Sequence, residues 1–208
     1  MRSMVEDTSG PSPFHEAVTL EGQHVRLEPL TLAHLDGLAE VGLDEEIWRY
    51  GLTDLRTRDD MRRYMDDAIQ ERHQRRSLPF ATVLRSENRT VGSTRFGNIE
   101  PFHKRVEIGW TWIGRRWQRT AVNTEAKYLM LRHAFETLEC VRVELKTSAL
   151  NQKSRTAIQR LGAREEGILR RHMINDRGVY RDTVYYSILE EEWPAVKSRL
   201  EERLKRGG

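Results

Sequence analysis

A chain of 208 residues with 38% hydrophobic and 32% charged residues can bury a continuous core and is too polar for a fibrous or membrane class. Its 35 basic residues against 32 acidic ones leave a net charge of +3, too balanced for a dedicated nucleic-acid binder, although the local cluster Arg115, Arg116 and Arg119 would suit a phosphate-bearing small ligand. The lone Cys140 excludes an internal disulfide and a multi-cysteine metal site. No apolar run approaches the ~20 residues of a membrane span, so a soluble, cytoplasmic protein is expected.

In chain order, residues 1–17 carry Ser, Gly, Pro and acidic residues without apolar periodicity and are expected to form a flexible leader, ahead of a main domain over 18–195 and a charged C-terminal helix or tail over 196–208. Val18 to Leu30 predicts strand, turn at Gly22, strand, and Thr31 can cap a helix through Leu32, Leu35, Leu38 and Val41. Thr57, Asp59 and Asp60 mark the start of an amphipathic helix whose apolar stripe is Met61, Tyr64, Met65, Ala68 and Ile69. From Leu78 the period changes: 80–84, 91–99 and 105–113 read as three antiparallel strands in a meander. Helix, strand and helix follow at 127–138, 141–145 and 151–161, the last closed by Gly162. A strand pair around Asn175 to Gly178 and a helix after Trp193-Pro194 complete a mixed α/β fold with a mostly antiparallel central sheet flanked by helices. Cys140, beside Val141 and Val143, reads as a buried structural thiol.

The chemistry concentrates after Val106. Strict alternation would put Val106, Ile108, Trp110 and Trp112 on one face of the strand, and Glu107, Gly109 and Thr111 on the other, with Gly109 permitting a bulge or a close backbone approach. A basic turn then leads into Thr120, Ala121, Asn123 and Thr124, which open a helix whose free N–H groups and positive dipole end can hold a phosphate. Residue chemistry alone reads Thr120 equally well as a simple cap, and Asn151 with Ser154 as a cap and first-turn pair.

The run Gln118-Arg119-Thr120-Ala121-Val122-Asn123, continued by Thr124, resembles the pyrophosphate loop of the GNAT acetyltransferases, with Ala121 and Asn123 at its two glycine positions. Asn151 to Ser154 and Leu161-Gly162-Ala163 resemble the Asn-x-x-Ser helix and Leu-Gly-Ala turn of the RimJ/RimL-like branch, and the likeness covers roughly residues 18–195. The resemblance implies acetyl-CoA as co-substrate, held by Gln118, Arg119, Thr120, Ala121, Val122, Asn123, Thr124 and Asn151, with Ser154 at the thiol. It also implies Glu107 as general base, here through water; residue chemistry adds His172 as a second candidate, for the pKa range of a neutral imidazole, and the amides near Trp112 and Ile113 as a carbonyl-oxygen site where Gly109 splays the strand. The acceptor the resemblance implies is a primary amine, foremost a protein N-terminal α-amine, with an antibiotic or polyamine as the alternative and a homodimer as the assembly. Two further readings stay open: a CoA sensor without turnover, and a basic nucleic-acid module built on Arg72, Arg75, Arg76 and Arg115.

Overall fold

The computed structural model describes residues 12–207. Eight strands form one sheet: β1 Leu20–Glu21, β2 Val25–Pro29, β3 Leu78–Leu84, β4 Arg89–Glu100, β5 Arg105–Ile113, β6 Arg142–Ser148, β7 Arg164–Ile174 and β8 Tyr180–Leu189. The helices are α1 Leu35–Gly42, α2 Glu45–Trp48, α3 Arg58–His73, α4 Ala121–Arg132, α5 Gln152–Leu161 and α6 Trp193–Lys205. Strand order is β1-β2-β3-β4-β5-β6-β8-β7, and every neighbouring pair is antiparallel except β5 with β6. The expected meander of 78–113 is present, and α4 supplies the crossover that a parallel pair requires.

Local chemistry explains the boundaries. Thr57 caps α3 by accepting from the amide of Asp60, while Asp60 returns a carboxylate to the Thr57 amide. Asn151 caps α5 by accepting from the amide of Ser154, and Gly162 closes it at φ +103°, a left-handed stop that a Cβ would strain. Glu125 is buried on α4, and its carboxylate accepts from the amides of Gln23, His24 and Val25, fastening the β1–β2 turn to the helix.

The core divides across the sheet. One cluster gathers Val106, Ile108 and Ile113 with α4, α5 and α6; the other joins Trp112 to Trp48, Leu38, Met61 and Met65 of α1, α2 and α3. That partition corrects the strict alternation expected of β5. Thr94 faces two residues, Trp110 and Thr111, because the register slips between Ser93↔Trp112 and Arg95↔Gly109, and Trp110 takes φ +49°. The inserted residue shifts the phase of the strand. Ile113 rather than Trp112 therefore joins Val106 and Ile108, and Thr111 leaves the Glu107 side to meet α4.

At the chain's start, residues 1–11 of the expected leader lie outside the described residues, while Phe14 within Pro13–His15 is buried in the core. At the other end the expected boundary at 195/196 falls inside α6, whose Val196 and Leu200 are fully packed in that same core.

Candidate active site

β5 and β6 pair only at Arg105↔Arg142, Val106↔Val143 and Glu107↔Glu144. Beyond Glu107 they diverge, so the remaining edge of each strand is open to a ligand and a cleft runs between them. Its volume is about 1370 Å³, and it extends from α2 and the β7–β8 ribbon, past the β5 bulge, to the N-termini of α4 and α5. Glu107, Trp112, Ile113, Gln118, Arg119, Thr120, Asn123, Thr124, Asn151 and Ser154 all line it. Ala121 and Val122 do not: both are buried.

The turn into α4 differs from a glycine loop in an instructive way. Ala121 and Asn123, at the two glycine positions of the resembled motif, are both helical, so neither needs the left-handed region. Arg119 takes it instead, at φ 62°. Thr120 caps α4 by accepting from the Val122 amide at 3.3 Å, and its own hydroxyl donates to the Trp117 carbonyl at 2.8 Å. Gln118 donates to the Ile113 carbonyl at 3.0 Å, which ties the turn to the end of β5. Lys153, Arg160 and Arg203 line this end of the cleft together with Arg119, so its charge is positive.

At the opposite end Glu107 is 4% exposed, yet it is not isolated. Its Oε2 accepts from Asn98 Nδ2 at 2.5 Å and from Lys146 Nζ at 2.7 Å. A Cβ on Gly109 would stand 2.8 Å from Oε1, so the glycine leaves the room in which the carboxylate folds back along the strand. Burial pulls the Lys146 ammonium down, but the Glu107 charge and hydrogen bond, with Tyr185, more than offset this and leave it above its ordinary value. Lys146 also lies 5.2 Å from the centre of the Tyr185 ring. Trp110 and Tyr64 sandwich the Arg95 guanidinium at 5.0 and 5.3 Å, and Glu71 pairs with it at 2.9 Å, giving the cleft a stiff aromatic wall.

His172 is exposed at the mouth, edge-on to Tyr185 at 5.7 Å. Cys140 is 1% exposed, and burial pushes its thiol up to about 12, which makes it a structural thiol rather than a nucleophile. The arginines of the nucleic-acid reading are in part engaged elsewhere, Arg72 with the Leu30 carbonyl and Arg115 with Asp44.

A sequence family described as "Acetyltransferase (GNAT) domain" matches residues 24–164. The chain belongs to the GNAT acetyltransferase family. Among solved structures, a GCN5-related N-acetyltransferase from Brucella melitensis is 32% identical, with 92% of this chain and 86% of that one covered at a TM-score of 0.84. Mycobacterium smegmatis RimJ in complex with CoA-disulfide shares the fold at a TM-score of 0.74 and 22% identity, over 91% and 96% of the two chains. In Bacillus subtilis (strain 168), the "Putative ribosomal N-acetyltransferase YdaF" is 34% identical over 106 residues, which spans 51% of this chain and 57% of YdaF. Among the described residues no helix is long and apolar enough to cross a membrane.

GNAT enzymes transfer acetyl from acetyl-CoA to an amine, and this cleft fits that donor. An unpaired strand edge can accompany a pantetheine arm in the manner of an added strand, and a helix N-terminus among basic side chains suits phosphates. Lys127, Lys146 and Arg181 all line the cleft and were missed by sequence reasoning, and Lys127 is the most deeply buried of them. It is 5% exposed, lines the cleft, and donates to Thr94 Oγ1 at 3.1 Å and to Thr111 Oγ1, the hydroxyl delivered by the bulge. No carboxylate pairs with it among the described residues, and burial lowers its ammonium to about 7. A signal was present: Thr120, Asn123, Thr124 and Lys127 follow at helical spacing and form the cleft-facing stripe of α4.

Proposed function

We propose that this GNAT enzyme acetylates the α-amine at the N-terminus of a protein. The observation that carries the reading is the lining of the cleft: Glu46 and Glu107 are its only carboxylates among the described residues, and Lys146 already occupies Glu107. A polycationic acceptor such as an aminoglycoside or polyamine needs several carboxylates to replace its water. A peptide N-terminus brings a single amine and a backbone that an open cleft bordered by the β7–β8 ribbon can admit. The name of YdaF, a relative across half this chain, gives that protein a ribosomal acceptor, which is compatible with a peptide substrate here.

In this reading the turn at Gln118 to Thr120, the free first-turn amides of Ala121 and Asn123 and the Thr124 side chain hold the pyrophosphate, Asn151 lines the pantetheine arm, and the acetyl group lies at the β5 bulge. Glu107 takes the amine's proton through water at its free Oε1. The amine nitrogen then bonds to the carbonyl carbon while amides near Trp112 and Ile113 hold the oxygen, and the carbon–sulfur bond breaks with Ser154 orienting the departing thiolate. Thiol release measured with acetyl-CoA against N-terminal peptides, a polyamine and an aminoglycoside tests the assignment. Turnover is expected with peptides; turnover confined to the polycations overturns it.

A further inference from the structure

Among the described residues Arg181 is a half-buried cation with no salt-bridge partner; the Glu107 charge reaches it only at longer range and is already shared with Lys146. Arg181 stands on β8 opposite Met173, on the same face as Thr183 and Tyr185, and lines the acceptor end of the cleft beside Lys146. Among the described residues no carboxylate pairs with it. Its Nη2 reaches only the Met173 sulfur at 3.7 Å and Thr183 Oγ1 at 3.3 Å, and its Nε is buried with no hydrogen-bond partner. A guanidinium carries five donors in a planar fork, and leaving a buried one unmet is costly. By contrast, the buried Arg95 is paired with Glu71 and the half-buried Arg142 with Glu144 and Glu166.

The charge count around the reacting amine points the same way. Glu107 is neutralised by Lys146 at 2.7 Å, so Arg181 leaves one positive charge uncompensated at the end of the cleft where the acceptor enters. An acceptor that brings only an ammonium meets repulsion there, whereas one that carries a carboxylate near its amine supplies the missing partner. A flat carboxylate matches the guanidinium fork with two parallel hydrogen bonds.

We infer that Arg181 is an anion-recognising element of the acceptor site and that the preferred acceptor carries a carboxylate close to its reactive amine, as a peptide does when one of its first residues is Asp or Glu. This rests on the α-amine reading of the site and narrows it to acidic N-termini.

The test is a set of otherwise identical peptides with Asp, Asn or Lys at the second residue, compared by kcat/KM at saturating acetyl-CoA, alongside glutamate and its side-chain amide, each with the α-carboxyl blocked as an amide. In the wild-type enzyme the Asp peptide is expected to exceed the Asn peptide by about tenfold or more and the Lys peptide by more again, the scale of one charge-assisted hydrogen-bonded pair. Arg181→Met is expected to bring the Asp-to-Asn ratio close to one, mainly through the KM of the Asp peptide, and Arg181→Lys to restore part of it. Each ratio is internal to one protein preparation, so a partly unfolded variant does not distort it, and the wild-type series decides the point without any variant. Equal use of the three peptides, a preference for Lys, or an Asp preference that survives in Arg181→Met overturns the inference while leaving the N-terminal reading in place. Peptides inert while the blocked glutamate outruns its side-chain amide in an Arg181-dependent way would overturn the N-terminal reading and uphold this one.

Discussion

Two lysines in the same cleft, one buried and one partly buried, sit in opposite electrostatic settings. Lys127, reaching β5 from α4, meets only the hydroxyls of Thr94 and Thr111, and burial lowers it to about 7. Lys146, reaching β5 from β6, meets the Glu107 carboxylate, which overrides its burial and holds it above the ordinary lysine value. Burial alone therefore does not set the charge of an amine here; the partner does. The difference divides the site into an end where Glu107 and Lys146 neutralise each other and a bulge where a proton is weakly held.

The largest effect should come from breaking the paired end. Glu107→Gln keeps the shape and the Asn98 contact but removes the base, so kcat is expected to fall by about 10²–10⁴-fold. Acetyl-CoA binding by calorimetry should persist, because the donor contacts lie at the far end of the cleft. Unchanged kcat in the variant would remove Glu107 from the chemistry.

The unpaired lysine should reveal itself in stability. Its folded value of about 7 lies below the ordinary 10.5, so between those pH values the unfolded chain binds the proton that the folded chain has released. Wild-type stability should thus rise with pH across that window, and below about pH 7 the folded state carries the whole cost, on the order of several kcal/mol. Lys127→Met removes it. The gap in Tm between variant and wild type should be widest below pH 7 and close towards pH 10; a gap independent of pH would show that Lys127 is not held neutral by its surroundings. A smaller effect is expected from Gly109→Ala. Its Cβ would crowd a Glu107 oxygen that cannot swing away while Asn98 and Lys146 hold its partner, and a displaced base should lower kcat on the order of tenfold with little change in KM for acetyl-CoA.

Much of this arrangement was legible in the sequence, because the elements that carry it announce themselves locally. Thr57 with Asp60, Asn151 with Ser154, and Gly162 fix the helix ends through contacts within a few residues. The meander follows from a period-two pattern that any half-buried sheet must show. What escaped was decided at long range. A bulge was readable as possible at Gly109, but its place at Trp110 and Thr111 depends on how Thr94 opposes two residues, and this moved Thr111 and Trp112 to the faces opposite those that alternation gives. Lys146 and Arg181 carry no local mark, since an isolated lysine or arginine on a strand looks the same whether it meets solvent, a carboxylate or an empty cleft. Lys127 was legible only once the stripe from Thr120 was known to face a ligand.

Asn151 offers the finest distinction between the donor end and the acceptor end, because it both caps a helix and lines the cleft. Its side chain accepts from the Ser154 amide at 3.0 Å, so Asn151→Ala should cost about 1 kcal/mol of stability from the cap alone. Asn151→Asp preserves the acceptor and adds a charge that a helix N-terminus favours, so its Tm should match wild type. If the residue also touches the pantetheine arm, both variants should raise KM for acetyl-CoA, and Asp should do so without loss of stability, since it removes the amide's two donors. The acceptor peptide's kcat/KM ratios should stay fixed, as Arg181 and Lys146 lie at the other end. An aspartate variant with wild-type KM would reduce Asn151 to a cap, and the thiol-side contact would then rest on Ser154 alone.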